Sequence, residues 1–338
     1  MNKEKLIVVT GATGFIGSNL LYALEKDGYA NIVGIDTFGT GDKWRNVAKR
    51  THTFFVLPEQ MQAYLETNAT NIGAIVHLGG LSSTTVTNVD EIVKTNIQLS
   101  VSLYEFCKLH GINFIYASSA STYGDGSQGF EDNDDFAYLC KLSPLNAYGW
   151  SKWYVDKYIS LDRKNSGGNT QVAGLKFFNV YGPNEYHKGH QTSVVYKFYR
   201  ELIDTHVLRL FKSYREDYDD GLQLRDFVYV EDCADVIIWL LAHPIVSGLF
   251  NVGTGEARSF KDVADLTIRY SGHEADICYI DMPEQLKRHY QYHTKADMTK
   301  LKSAGYTKCM TSLEDGIKIY VKEYLKTNNI FEYEPNYI

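Results

Sequence analysis

Tyr148 and Lys152 stand four residues apart in the run Tyr148-Gly149-Trp150-Ser151-Lys152. On a helix that spacing places both side chains on one face. A phenol ordinarily ionises near pH ~10, so a tyrosine that moves protons at neutral pH needs a cation beside it. An ammonium four residues on supplies one, and it favours the phenolate. The dipeptide Ser143-Pro144 predicts the start of that helix, with a capping hydroxyl and a first-turn proline. A second hydroxyl group lies upstream, in Ala117-Ser118-Ser119-Ala120-Ser121-Thr122-Tyr123-Gly124. Ser119 can hydrogen-bond a reacting hydroxyl or carbonyl and share a proton path with Tyr148.

The run Thr10-Gly11-Ala12-Thr13-Gly14-Phe15-Ile16-Gly17 predicts a phosphate-binding turn. Gly11 allows the tight bend, Gly14 the approach of a pyrophosphate, and Gly17 close helix–strand packing. Free N–H groups at the following helix start then hold the anion. Three spaced glycines alone are weak evidence. Here a strand precedes them, a helix follows, and Asp36 ends the next strand. Asp36 suits a ribose 2′-hydroxyl, as in NAD, whereas Lys43 and Arg45 suit a 2′-phosphate, as in NADP. A bound nicotinamide would add its own positive charge beside Tyr148.

These groups need a frame. Short β-branched runs alternate with helical segments through the first half, which predicts an α/β fold with a doubly wound parallel sheet. Strands are expected at Leu6–Thr10, Ile32–Asp36, Thr53–Leu57, Ala74–Leu78, Asn113–Ser118 and Val172–Phe178, with a helical pattern over Val89–His110. Ligands of such sheets lie beyond the carboxyl ends of the strands. After residue 180 the pattern loosens, with polar loops at Glu185–Thr192 and Lys212–Leu224 and further strands at Arg225–Val230 and Leu249–Val252. The expected division is a Rossmann domain over 1–178 with a returning segment at about 225–252. A smaller mixed α/β substrate lobe takes 179–224 and 253–326, and 327–338 is a tail without periodicity.

The chain has 338 residues, 44% hydrophobic and 22% charged, with a formal net charge of −7. It holds no basic run, so a nucleic-acid partner is not expected. Its apolar runs are of strand length, and no signal-peptide core opens it, so the expectation is a cytoplasmic protein without a membrane partner. The five cysteines, Cys107, Cys140, Cys233, Cys278 and Cys309, form no CxxC pair. No metal site is expected, and the thiols are expected to be buried or half-buried in a reducing compartment.

The motifs TGATGFIG, SSASTYG, YGWSK, FFNVYGP and RDFVYVED, in that order, resemble the extended short-chain dehydrogenase/reductase family over nearly the whole chain. Within it, His77–Thr85, Tyr181–Gly189 with its His187-Lys188-Gly189, and Leu286–Gln291 are similar to a subgroup that inverts C6 of a nucleotide-linked heptose in lipopolysaccharide core precursor synthesis. The resemblance implies an epimerase in which Tyr148 is one acid/base, Lys188 the second, Lys152 the residue orienting the nicotinamide ribose, and Ser119 the support of the reacting oxygen. It also implies a tightly held NADP or NAD contacted by Phe15, Ile16, Asp36, Thr37, Lys43, Leu78, Gly79, Gly80, Leu81, Ser82, Asn96, Lys152, Val180 and Lys188. Substrate contacts would fall to Ser82, Asn179, His190, Lys197, Phe211, Arg225 and Tyr290. Arg225 suits a nucleotide diphosphate because a guanidinium binds phosphate oxygens in pairs. A homo-oligomer, often a pentamer, is implied as well. The chain departs from the pattern at Thr37, Leu57-Pro58, His190, Lys197, Lys212-Ser213-Tyr214 and an inserted Arg215–Asp220. Those departures leave ADP, GDP and UDP open. A UDP-hexose 4-epimerase and a non-catalytic NAD(P) sensor are the alternatives, while Ser121 and Thr122, in place of an acidic pair, argue against a dehydratase.

Overall fold

The computed structural model describes residues 3–83, 88–168, 170–287 and 290–327. Thr84-Thr85, Arg288-His289 and the expected tail beyond Thr327 lie outside these residues. The strands in chain order are β1 (Leu6–Thr10), β2 (Ile32–Ile35), β3 (Thr53–Val56), β4 (Ile72–His77), β5 (Asn113–Ser119), β6 (Val172–Phe177), β7 (Asn179–Tyr181), β8 (Val207–Phe211), β9 (Leu224–Tyr229), β10 (Gly248–Val252), β11 (Ala257–Ser259) and β12 (Asp276–Ile280).

Seven of them form one sheet in the order β10-β6-β5-β4-β1-β2-β3. Every pairing in it is parallel. Residues such as Ile7, Val8 and Val9 are wholly buried because helices cover both faces, as parallel sheets require. The chain runs outward from β1 through β2 to β3 and outward again from β4 to β10. Its reversal leaves a crevice at the carboxyl ends of β1 and β4, where ligands of such sheets bind.

The expected helix over Val89–His110 is continuous but not uniform. Val89–Ile92 passes through a wide π turn, Val93–Gln98, into Leu99–His110. Such turns often occur at functional sites, and this one carries Asn96.

The helix bearing Tyr148 and Lys152 spans Ala147–Ser166, and its N-cap is Asn146, whose side chain accepts from the Gly149 N–H at 2.8 Å. The expected cap at Ser143-Pro144 is therefore corrected. That dipeptide packs instead against the Gly124 turn, where a Cβ would fall 2.0 Å from the Ser143 carbonyl.

Two further departures concern the chain's second half. β9 pairs with β7 and β11 in a three-stranded sheet, so Arg225–Val230 does not return to the large one. The helix Val230–Ala242 and β10 do return, and Cys233–Leu241 and Leu249–Val252 join the first core. Ala296, Met298, Leu301 and Tyr306 pack there too, although they fall in the stretch expected to belong wholly to the smaller lobe. Their apolar side chains cover the β10 edge of the sheet. A second core gathers Tyr181, Phe198, Leu202, Leu210, Tyr229, Ile317 and Tyr320, among others. Of the cysteines, Cys107 and Cys233 are buried. Cys140, Cys278 and Cys309 are exposed, against expectation, because they sit on short helix, edge-strand and loop segments.

Candidate active site

The glycine turn leaves β1 and enters the helix Phe15–Lys26 through Gly14, which offers no capping side chain. The first N–H groups of that helix are thus available to an anion. The turn is crowded from within: a Cβ on Gly17 would meet the Gly11 carbonyl oxygen at 2.1 Å, and one on Gly11 would meet the Gly79 nitrogen at 2.6 Å. Only glycine lets the first turn, the helix and the β4 loop approach so closely.

A groove runs from there, lined by Gly11, Gly14, Phe15, Ile16, Gly17, Asp36, Lys43, Leu78 to Ser83, His187, Lys188 and Gln191. These residues fit a dinucleotide. Asp36 closes the adenosine end with both oxygens engaged: Oδ2 accepts from the Thr13 N–H (2.9 Å) and hydroxyl (2.7 Å), and Oδ1 from the Thr37 N–H (2.7 Å) and Lys43 (3.0 Å). Thr37 is exposed and contributes its backbone only. Asn96 is fully buried and does not face the groove. Its side chain accepts from the Leu81 N–H (2.8 Å) and donates to the Leu81 carbonyl (2.9 Å) and to Ser151 (3.0 Å), bracing the loop after β4.

His77 holds the same loop from below. Its ring bonds the Thr10 hydroxyl at 2.6 Å and the Ser100 hydroxyl at 2.9 Å, and burial lowers its pKa to about 3. It is neutral at working pH.

The groove opens into a cavity of about 460 Å³ at the carboxyl ends of β5 and β6. Ser119, Tyr148, Lys152, Lys188, Asn179, Val180, Ser82 and Lys197 line it, with Phe177, Phe178, Phe227, Phe260 and Gln191, and among the described residues no Asp or Glu does. Tyr148 is held above its usual pKa by burial, against which a hydrogen bond with Ser119 pulls it down. Burial brings Lys152 down to about 8, partly opposed by Asp156. In the protein by itself, loss of hydration outweighs the nearby Lys152 ammonium; the expected lowering rests on that ammonium and a cationic nicotinamide together.

Lys188 comes from the turn Tyr186–Gln191, its ammonium 5.0 Å from the centre of the Phe15 ring. Burial and Lys197 lower its pKa, and Glu185 raises it. His190, on the same turn and expected at the substrate, is exposed and lines neither the groove nor the cavity.

Arg225, Tyr290 and Phe211 cluster beyond Phe260. The Arg225 guanidinium lies 5.0 Å from the Tyr290 ring centre and 5.6 Å from that of Phe260, and Phe211 meets Tyr290 edge-on at 6.4 Å. Arg225 is only 7% exposed, donates to the Leu224 carbonyl at 2.8 Å, and has no carboxylate partner among the described residues. A buried guanidinium without an acid is an anion site in waiting. The inserted Arg215–Asp220 stretch extends the stack: Arg215 lies 5.1 Å from the Tyr292 ring centre, itself 5.4 Å from Tyr290.

Sequence reasoning gave no role to Gln191, Asn46, Phe260 or Glu185. Gln191 accepts from Ser82 at 3.0 Å. Asn46 donates to the Thr13 carbonyl at 2.9 Å and lies 3.2 Å from His187. Gln191, Asn46 and Phe260 belong to no motif named above, and Glu185 stands within Tyr181–Gly189 without a role of its own, so only the folded chain shows what they touch.

A sheet with this strand order, a glycine turn at its switch point and a Tyr/Lys/Ser set at the next strand ends define a nucleotide-cofactor enzyme of the short-chain dehydrogenase type. The model of the NAD dependent epimerase/dehydratase family matches residues 7–253, and the chain belongs to that family. It is similar to the ADP-L-glycero-D-manno-heptose-6-epimerase of Nitratidesulfovibrio vulgaris, 44% identical over 96% of this chain and 100% of that protein. It is also similar to the protein of the same name from Fusobacterium nucleatum, 42% identical over 95% and 98%. Among solved structures, the Helicobacter pylori ADP-L-glycero-D-manno-heptose-6-epimerase superposes with a TM-score of 0.77 at 28% identity, covering 95% of this chain and 96% of that one. The Bacillus cereus UDP-glucuronic acid 4-epimerase, in complex with UDP-glucuronic acid and NAD, also superposes at 0.77, with 26% identity over 95% and 99%. No described helix is long and apolar enough to cross a membrane.

Proposed function

We propose that this chain epimerises ADP-D-glycero-D-manno-heptose to the L-glycero form at C6, in lipopolysaccharide core precursor synthesis. The observation that carries the reading is a cavity lined by two acid/base groups from separate elements, Tyr148 on its helix and Lys188 on the Tyr186–Gln191 turn. Inversion at a carbinol carbon requires its hydrogen to leave from one face and return to the other. A proton donor or acceptor on each side serves that sequence.

Tyr148 takes the hydroxyl proton at one face, with Ser119 holding the reacting oxygen, and Lys188 returns a proton at the other. A nicotinamide held in the groove would supply reversible hydride acceptance. Lys152 would hold the nicotinamide ribose, and its charge, with that of an oxidised cofactor, would offset the burial that otherwise keeps Tyr148 protonated. Arg225, Lys197, Asn179, Ser82, Tyr290 and Phe211 receive the diphosphate and its substituents, and the lack of carboxylates in the cavity lining favours an anionic substrate.

NADP, one per subunit and tightly bound, fits the adenosine end. Three donors besides Lys43 hold the Asp36 carboxylate, the Thr13 N–H and hydroxyl and the Thr37 N–H, so Lys43 can turn to a 2′-phosphate without stranding it. Lys43→Ala is expected to shift the co-purifying cofactor from NADP towards NAD, read by chromatography of the released nucleotide. We also infer a cytoplasmic homo-oligomer, a pentamer by family resemblance, which sedimentation of the purified protein tests.

The primary test is turnover of ADP-D-glycero-β-D-manno-heptose without added cofactor, with the C6 configuration followed by NMR. Conversion supports the reading. Absence of conversion by cofactor-loaded protein sinks the heptose assignment and points to another nucleotide sugar, UDP-galactose being the next to try.

A further inference from the structure

Glu185 is a fully buried carboxylate with no place in the chemistry above. A buried carboxylate is costly unless donors surround it, and its donors are informative. The Ser193 hydroxyl donates to Oε1 at 2.7 Å, the Ser193 N–H donates to Oε2, and the Gly182 N–H approaches Oε1 at 3.5 Å. Tyr320, from the C-terminal helical segment, also hydrogen-bonds to it. The backbone carbonyl of Glu185 accepts from the Lys188 N–H at 3.0 Å. One residue therefore grips the turn at its start through the backbone and at its end, Ser193, through the side chain.

Ser193 in turn caps the helix Val194–Thr205, which carries Lys197. On its other flank the turn is tied to the cofactor side. Asn184 donates to Ser18 at 3.0 Å, and Tyr186 donates to the Asp42 carbonyl at 2.6 Å.

We propose that Glu185 is the positioning residue of Lys188: its backbone carbonyl holds the start of the turn that presents that ammonium, while its carboxylate holds Ser193 just beyond the turn's end and supplies negative charge opposite Lys188. The proposal rests on the acid/base reading of Lys188. The groups facing the pair are Lys197 and Tyr196 from the helix Val194–Thr205, Tyr320 from the C-terminal segment, His187 from the turn itself, and the Phe15 ring. Lys197 opposes the charged form of Lys188, and Glu185 is its counterweight. Burial raises the Glu185 carboxyl, while the Ser193 donors and Lys188 pull it down. Without its charge, the Lys188 ammonium would face Lys197 with burial unopposed.

The test compares wild type with Glu185→Gln, which keeps an acceptor for Ser193 and removes the charge. Lysines are ¹³C-dimethylated and titrated by NMR, the Lys188 resonance being the one missing from Lys188→Met. The expected result is a Lys188 midpoint lower by about one pH unit or more, with kcat reduced and KM little changed. Glu185→Asp is expected to restore the midpoint. An unmoved midpoint in folded Glu185→Gln overturns the proposal, even if kcat falls, because the residue is then structural only. Should Glu185→Gln not fold, Glu185→Met combined with Ser193→Ala makes the same comparison, removing the charge together with the hydroxyl that it satisfies. The midpoint again moves down, and an unmoved one overturns the proposal. Failure of the underlying reading looks different: Lys188→Met would then turn over near the wild-type rate, whatever the midpoint does.

Discussion

At the scale of single residues, the site separates a group that must be made basic from groups that are already poised. Tyr148 is held protonated by burial, and Lys152 is brought down to about 8. Tyr148→Phe removes the proton acceptor without altering shape, so kcat should fall by about 10²–10⁴-fold with bound cofactor unchanged by absorbance. Lys188→Met should fall as far, whereas a 4-epimerase working through Tyr148 alone would tolerate it. Lys152 also fixes a pH dependence. Its folded pKa is lowered, so it loses its proton as pH rises through about 8 and can no longer favour the phenolate. The kcat/KM for nucleotide sugar should therefore decline above about pH 8, and a profile flat to about pH 10 would sink that role.

At the scale of elements, the sheet's interior is not wholly apolar. Lys176 of β6 and Asp156 of the Tyr148 helix are both 0% exposed and paired at 2.7 Å. Asp156 also accepts from Ser118 (2.7 Å) and Tyr116 (3.1 Å), and Lys176 donates to Thr122 (2.7 Å). This network locks β5, β6 and the Tyr148 helix in one register beneath Ser119. Lys176→Met strands the carboxylate and should cost about 3–5 kcal/mol of stability by urea unfolding. Removing both partners with apolar residues of similar size should cost much less, and equal losses would show that the pair is not coupled. The glycine turn is equally constrained. Gly17→Ala should abolish cofactor retention, since the added carbon would drive the helix start off the Gly11 carbonyl.

At the scale of the whole molecule, two cores meet along the cleft, and the turn bearing Lys188 bridges them. His77 ties the folded state to pH. Its pKa is about 3 in the folded chain and about 6.5 when unfolded, so the unfolded chain binds the extra proton between those values. Stability from this group is complete above about pH 6.5 and is lost as pH falls towards about 3, at up to about 1.4 kcal/mol per pH unit. Thermal unfolding across that window should show a steeper acid loss in wild type than in His77→Asn. Identical slopes would mean that other groups dominate.

The amino-acid sequence by itself determined the parallel sheet, the dinucleotide turn and the Tyr148/Lys152/Ser119 set, because each rests on local periodicity or short spacing. Lys188 was singled out through the family resemblance of Tyr181–Gly189, not through its chemistry. Tertiary structure decided what depends on approach between distant segments. It capped the Tyr148 helix at Asn146 rather than Ser143 and sent β9 into the small sheet. It turned Asn96 towards the Leu81 loop, left His190 outside the cavity, and set Glu185 against Ser193 and Tyr320. It also fixed the electrostatics: loss of hydration raised Tyr148 and lowered Lys152 and Lys188. Burial is a property of everything packed around a residue, and no window of sequence contains it.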